Sequence, residues 1–114
     1  MRMEILKVNE QPSAENPHGV DVRRVYSKET AMASHLTLKP GESLIRHITP
    51  VDVLFYVLEG TGTVEIGGEE AEVEADTAID SPAGIPHCWR NESEDVLRVL
   101  VVKAPRPVKK TKLL

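Results

Sequence analysis

With 114 residues, of which 40% are apolar and 28% charged, the chain has room for one globular domain and no more. A formal charge of -4 at pH 7 argues against a general affinity for nucleic acid or for an anionic membrane surface. A lone cysteine, Cys88, excludes an internal disulfide framework, and no apolar run approaches the ~18 residues of a membrane helix. The start Met1-Arg2-Met3-Glu4 meets charge before any apolar stretch, unlike a signal peptide, so a cytoplasmic protein is expected.

In chain order, Asn9 to Gly19 carries Pro12, Asn16 and Pro17 and reads as loop, with His18 in it solvated. Val20 to Tyr26, through Val20, Val22 and Val25, is expected to be an outer strand. From Ala31 onward, short apolar runs are broken by Gly and Pro every eight to twelve residues, the spacing of an all-β sandwich or barrel. Met32, Ser34, Leu36 and Leu38 share the more apolar parity and should face inward, which turns His35 outward and leaves it without a role. Strands at 53–59 and 63–66 end at Gly60-Thr61-Gly62 and at Gly67-Gly68, the latter suited to a tight hairpin. Glu70, Glu72 and Glu74 then alternate with Ala71, Val73 and Ala75, predicting one wet face and one buried face. Pro82-Ala83-Gly84 breaks the next strand. The run Val96 to Val102 is apolar on both faces except for Arg98.

The barrel core is thus expected over about residues 20–104. Residues 105–114, with Lys109, Lys110 and Lys112, read as a solvated tail. Leu54-Phe55-Tyr56-Val57-Leu58 is also apolar on both faces, so it needs cover inside and outside. A second copy of the chain would supply the outer cover, predicting a homodimer. The alternative is terminal strands folding back over that face.

Two segments carry a recognisable pattern. In the first, from Gly41 to Gly60, Gly41, His47 and Gly60 fall at the landmarks of glycine, five residues, His-x-His, three or four residues, glutamate, six residues, glycine. Thr49 stands at the second histidine and Val53 at the glutamate. In the second, Pro82, Gly84, His87 and Asn91 match Pro-x-Gly, two residues, His, three residues, Asn, with Asp76 at the opening glycine. Together they resemble the two motifs of the cupin superfamily. The resemblance implies an antiparallel double-sheet β-barrel of six to ten strands, related to the jelly roll.

The resemblance further implies a metal centre, with two imidazoles on one strand face, a glutamate from the next strand and a histidine from a strand across the barrel. His47 and His87 remain of that set. With Asp52 replacing the glutamate, through an irregular strand start after Pro50, they could hold one divalent ion of iron, manganese, nickel or zinc. The alternative is a pair of pocket histidines hydrogen-bonded to Thr49 or to water. Thr49, Phe55 and Trp89 are candidate ligand contacts, Trp89 being either a core filler or a stacking wall. The functional expectation is a small organic ligand, an acid or a sugar-like molecule, bound in the barrel mouth; the resemblance leaves open whether the protein is also an enzyme with a reduced metal site. A metal-free binding or sensor module, or a structural dimer whose pocket its own side chains fill, are the alternatives.

Overall fold

The computed structural model describes residues 2–114. After a short 3-10 turn at Val8–Glu10 come ten strands: β1 (Asp21–Lys28), β2 (Ala31–Leu38), β3 (His47–Ile48), β4 (Asp52–Glu59), β5 (Thr61–Ile66), β6 (Glu69–Glu74), β7 (Ala78–Ser81), β8 (His87–Arg90), β9 (Leu97–Ala104) and β10 (Lys112–Leu113). They form two five-stranded antiparallel sheets, ordered β1-β2-β9-β4-β7 and β10-β3-β8-β5-β6. The chain is therefore all-β, a double-sheet barrel. No helix among the described residues is long and apolar enough to cross a membrane.

Side-chain alternation builds the interior. On β4 the buried parity is Val53, Phe55 and Val57, facing Trp89 of β8 and joined by Leu97 and Val99 of β9 and by Leu36 and Leu38 of β2. Trp89 is completely buried, and Gly62 on β5 is its counterpart. A Cβ on Gly62 would lie 2.6 Å from Leu97 and 3.0 Å from Trp89, so the indole fits only because that position lacks a side chain. This end of the barrel is closed and closely packed.

The motif landmarks outside the pocket are structural. Gly60 has φ 87°, and a Cβ there would overlap the carbonyl oxygen of Val96. Asp76, at the second motif's opening glycine, keeps the same left-handed backbone at φ 65°. Aspartate tolerates that region better than most side chains, and its Oδ1 accepts a hydrogen bond from the Tyr56 hydroxyl at 2.9 Å. Asn91 is buried, and its Nδ2 donates to the carbonyls of Leu38 and Asp95, each at 2.8 Å, pinning the loop before β9 to the end of β2.

Two expectations are extended and two corrected. The tail is solvated, with Lys109, Lys110 and Lys112 exposed, yet it is ordered: β10 pairs with β3, with Leu113 opposite His47, and the Leu114 amide donates to the Arg46 carbonyl at 2.9 Å. His35 does face out of the barrel, yet it is buried, its Nε2 accepting from Arg98 Nε at 3.0 Å. Ala71 is exposed and only Val73 packs on the core, because β6 is the last strand of its sheet and only part of one face is covered. β3 and β8 are neighbours in one sheet, so His47 and His87 stand directly opposite each other in the ladder and do not reach across the barrel.

Candidate functional site

At the open end of the barrel a cavity of about 200 Å³ lies between the sheets. His47 and His87 form its polar floor, 8% and 2% exposed. Their Nε2 atoms are 3.0 Å apart and the rings meet nearly edge-to-face at 75°. The outer nitrogen of each ring is tied down. His47 Nδ1 lies 2.7 Å from the Ile45 carbonyl oxygen, and His87 Nδ1 lies 2.6 Å from Ser81 Oγ.

Proton positions follow from what each partner can do. A carbonyl only accepts, so His47 carries its proton on Nδ1 and presents a bare Nε2. A hydrogen bond between the rings then requires His87 Nε2–H as donor, with Thr49 Oγ1, 3.1 Å away, sharing that proton. His87 Nδ1 is left to accept from the Ser81 hydroxyl. The result is a directed chain, Ser81 to His87 to His47 to the Ile45 carbonyl, in which every ring nitrogen has a partner.

Burial dominates the electrostatics. It lowers His87 to about 4, with the His47, Lys103 and His18 charges adding to the effect. Burial also lowers His47; the Ile45 hydrogen bond acts against the shift and Lys103 reinforces it. Both rings are therefore neutral at pH 7, able to give and to take a proton. His18 joins them: its ring centroid is 4.9 Å from that of His47, its Nδ1 accepts from the Ile45 amide at 2.8 Å, and burial chiefly lowers it to about 4. It is a cavity residue, not a solvated loop histidine.

The other predicted contacts divide. Thr49 lines the cavity, as do Val53 and Phe55, whose ring stands edge-on to His87 at 5.2 Å. Trp89 does not; it lies behind Phe55, 5.5 Å between centroids, as a core filler. Asp52 is exposed, and its Oδ1 accepts from the Ala83 amide at 2.9 Å. Regular alternation holds through the start of β4, so with Val53 inward Asp52 points away, and the expected His47, Asp52 and His87 set does not assemble. Ser81 and Lys103 are the site residues that sequence reasoning missed. Lys103 continues the inward parity of Val99 and Val101 by one step, a signal that was present in the alternation.

The donor set can be weighed against the metal that the resemblance implies. His47, donating Nδ1–H to the Ile45 carbonyl and presenting a bare Nε2, has the support that metal-binding imidazoles receive, whereas His87 carries its proton on Nε2 and accepts from Ser81. A third strong ligand is missing. Among the described residues no three His, Cys, Asp or Glu side chains are grouped to hold an ion. His18 spends its Nδ1 lone pair on the Ile45 amide and so carries its proton on Nε2, which leaves neither nitrogen to coordinate. Lys103 on the cavity wall and Arg24 at its rim add positive charge, which opposes a divalent cation. These residues do not fit a tightly held metal ion.

Residues 34–103 match the family described as the cupin domain. The tetracenomycin polyketide synthase protein TcmJ of Streptomyces glaucescens is 36% identical over 77 residues, 64% of this chain, which spans only 52% of the length of TcmJ. The polyketide synthase CurC of Streptomyces cyaneus is 29% identical over an alignment of 117 positions that takes in 94% of this chain and 75% of CurC. Among solved structures, TT1209 from Thermus thermophilus superposes with a TM-score of 0.78 at 36% identity, covering 92% of this chain and 100% of that one. The polyketide cyclase RemF from Streptomyces resistomycificus reaches a TM-score of 0.85 at 20% identity, over 99% of this chain and 86% of RemF, a likeness of fold.

Proposed function

We propose, since the chain belongs to the cupin domain family, that its barrel cavity binds a small organic molecule, with His47 and His87 serving as a coupled hydrogen-bonding and proton-transfer pair in place of a metal centre. The observation that carries this is the 3.0 Å contact between the two Nε2 atoms, with Ser81 and the Ile45 carbonyl fixing the outer nitrogens. A ligand that inserts between the two Nε2 atoms would receive the His87 Nε2–H on a carbonyl oxygen and donate a hydroxyl proton to the bare His47 Nε2, one proton given and one taken, so that no net charge is left on the pair. The apolar wall of Val53, Phe55 and Val101 suits the carbon skeleton of such a ligand. Relatives named as polyketide synthase proteins, and a fold neighbour named as a polyketide cyclase, agree with a carbonyl-rich ligand.

The test is a panel of small oxo and hydroxy compounds followed by ligand-observed NMR and thermal shift, with and without a chelator. A compound should bind in both conditions and weaken at least tenfold in His87→Ala and measurably in Thr49→Val. Binding that disappears with the chelator, or no binding across the panel, would overturn the reading.

We also propose that the outer face of the first sheet pairs with a second copy. Leu54 and Leu58 of β4 are 44% and 36% exposed there, beside the partly buried Leu100 and Val102 of β9. Sedimentation of the wild type against a Leu54→Glu, Leu58→Glu variant should read a dimer turned monomer. A wild type that sediments as a monomer refutes it. A reducing, cytoplasmic setting is proposed with it, on the ground of the lone buried thiol of Cys88.

A further inference from the structure

Facing the histidine pair from the other sheet is a charge that their hydrogen-bond chain does not use. β9 turns Val99, Val101 and Lys103 toward the interior, and Lys103 stands in register with Met32 of β2 on one side and Val53 of β4 on the other. It is thus in the middle of a sheet with apolar neighbours on both flanks, and it lines the cavity. Among the described residues it forms no ion pair. Arg24, at the rim, repels it, and burial together with that repulsion lowers its pKa. The acidic residue on the cavity lining is Glu15, which is exposed and is not among the charges that act on Lys103.

A half-buried cation normally has a counter-ion, because drawing an unpaired charge partly out of water is unfavourable. Here the cavity holds a half-buried lysine with no buried acidic partner, its other charged lining residues, Arg24 and Glu15, both being exposed. An anion entering the cavity would restore the balance, and few other ligands would. A volume of about 200 Å³ holds roughly seven waters at ~30 Å³ each, which sets the size of what can be enclosed.

From this we propose that the ligand of the cavity is a small organic carboxylate of about that many heavy atoms, or the acid end of a longer molecule. Lys103 and Arg24 receive its negative charge, while its oxo or hydroxyl group meets His47 and His87. The inference rests on the binding reading above and adds the charge of the ligand to it.

Pyruvate and 2-oxobutanoate, each beside its own primary amide, are the probes, titrated into the full chain by ligand-observed NMR. The acids should bind at least tenfold more tightly than the amides. Lys103→Met should erase that preference and Lys103→Arg should retain most of it. The methionine replaces an unpaired cation by an apolar side chain of similar length, so its melting temperature should equal or exceed that of the wild type. Amides that bind the wild type as well as the acids would overturn the charge assignment and leave small-molecule binding standing. A preference for acids that survives Lys103→Met would overturn the role of Lys103. If neither acids nor amides bind at millimolar concentration, this inference and the binding reading fall together.

Discussion

The two ends of the barrel are built from the same strands and differ in almost every physical respect. On β8, His87 faces the cavity and Trp89 the closed end; on β9, Lys103 and Val101 line the cavity while Val99 and Leu97 fill the core. On β4, Phe55 sits between them, touching His87 on one side and Trp89 on the other. A step of two residues along a strand moves from a hydrogen-bonded, charged, open volume to a closed one in which a single Cβ on Gly62 does not fit. The closed end supplies stability and accepts no change in volume. The open end keeps unpaired charge and empty space, neither of which packing would select.

Substitutions at the closed end should therefore act on stability alone. The largest effect is expected for Trp89→Ala, which leaves a cavity under Phe55 and Leu97 and should lower unfolding stability by about 3–5 kcal/mol in urea titrations. Gly60→Ala comes next, at about 2–3 kcal/mol, since the left-handed backbone and the Val96 carbonyl both oppose a Cβ. Either variant losing less than about 1 kcal/mol would mean that the closed end relaxes in a way its packing does not suggest.

The open end should reveal itself through pH. His18 and His87 have folded values of about 4 against 6.5 when free, so the unfolded chain binds more protons between those values. The stability they contribute is complete above pH 6.5 and is lost as pH falls toward 4. His18 is half open to solvent and its share is the smaller one. A slope of about 1 kcal/mol per pH unit is expected between these limits, clearly reduced in His87→Asn. An equal slope in both proteins would place the titration elsewhere. The smallest effect is expected for Asp52→Ala, within about 0.5 kcal/mol and with ligand and metal binding unchanged. A change in binding there would bring Asp52 back to the site.

Most of this division was legible in the sequence, because alternation and glycine punctuation are local signals. The motif spacing placed His47, Thr49, Val53 and His87 on the cavity wall, and the parity of β2 predicted Ser34 and Met32 beside them. What the sequence did not show has separate physical causes. Asp52 was given a role by assuming an irregularity after Pro50, whereas β4 alternates from its start and the carboxylate holds the Pro82-Ala83-Gly84 turn through the Ala83 amide. His18 sits in a loop whose path is set by Asn16, with its side-chain oxygen accepting the amides of His18 and Val20, and no periodicity describes such a path. The basic tail is solvated, as Lys109, Lys110 and Lys112 imply, while the strand within it is held by backbone bonds to β3 that composition does not encode.

The claim on which the account turns is that His47 and His87 bond to each other and not through a metal ion. Elemental analysis of untagged protein, beside a His87→Ala control and after metal addition followed by desalting, tests it directly. Well under one equivalent of iron, manganese, nickel or zinc is expected in both proteins, with none retained after desalting. Close to one equivalent in the wild type, lost in His87→Ala, would contradict it and restore the metal centre that the missing third ligand speaks against.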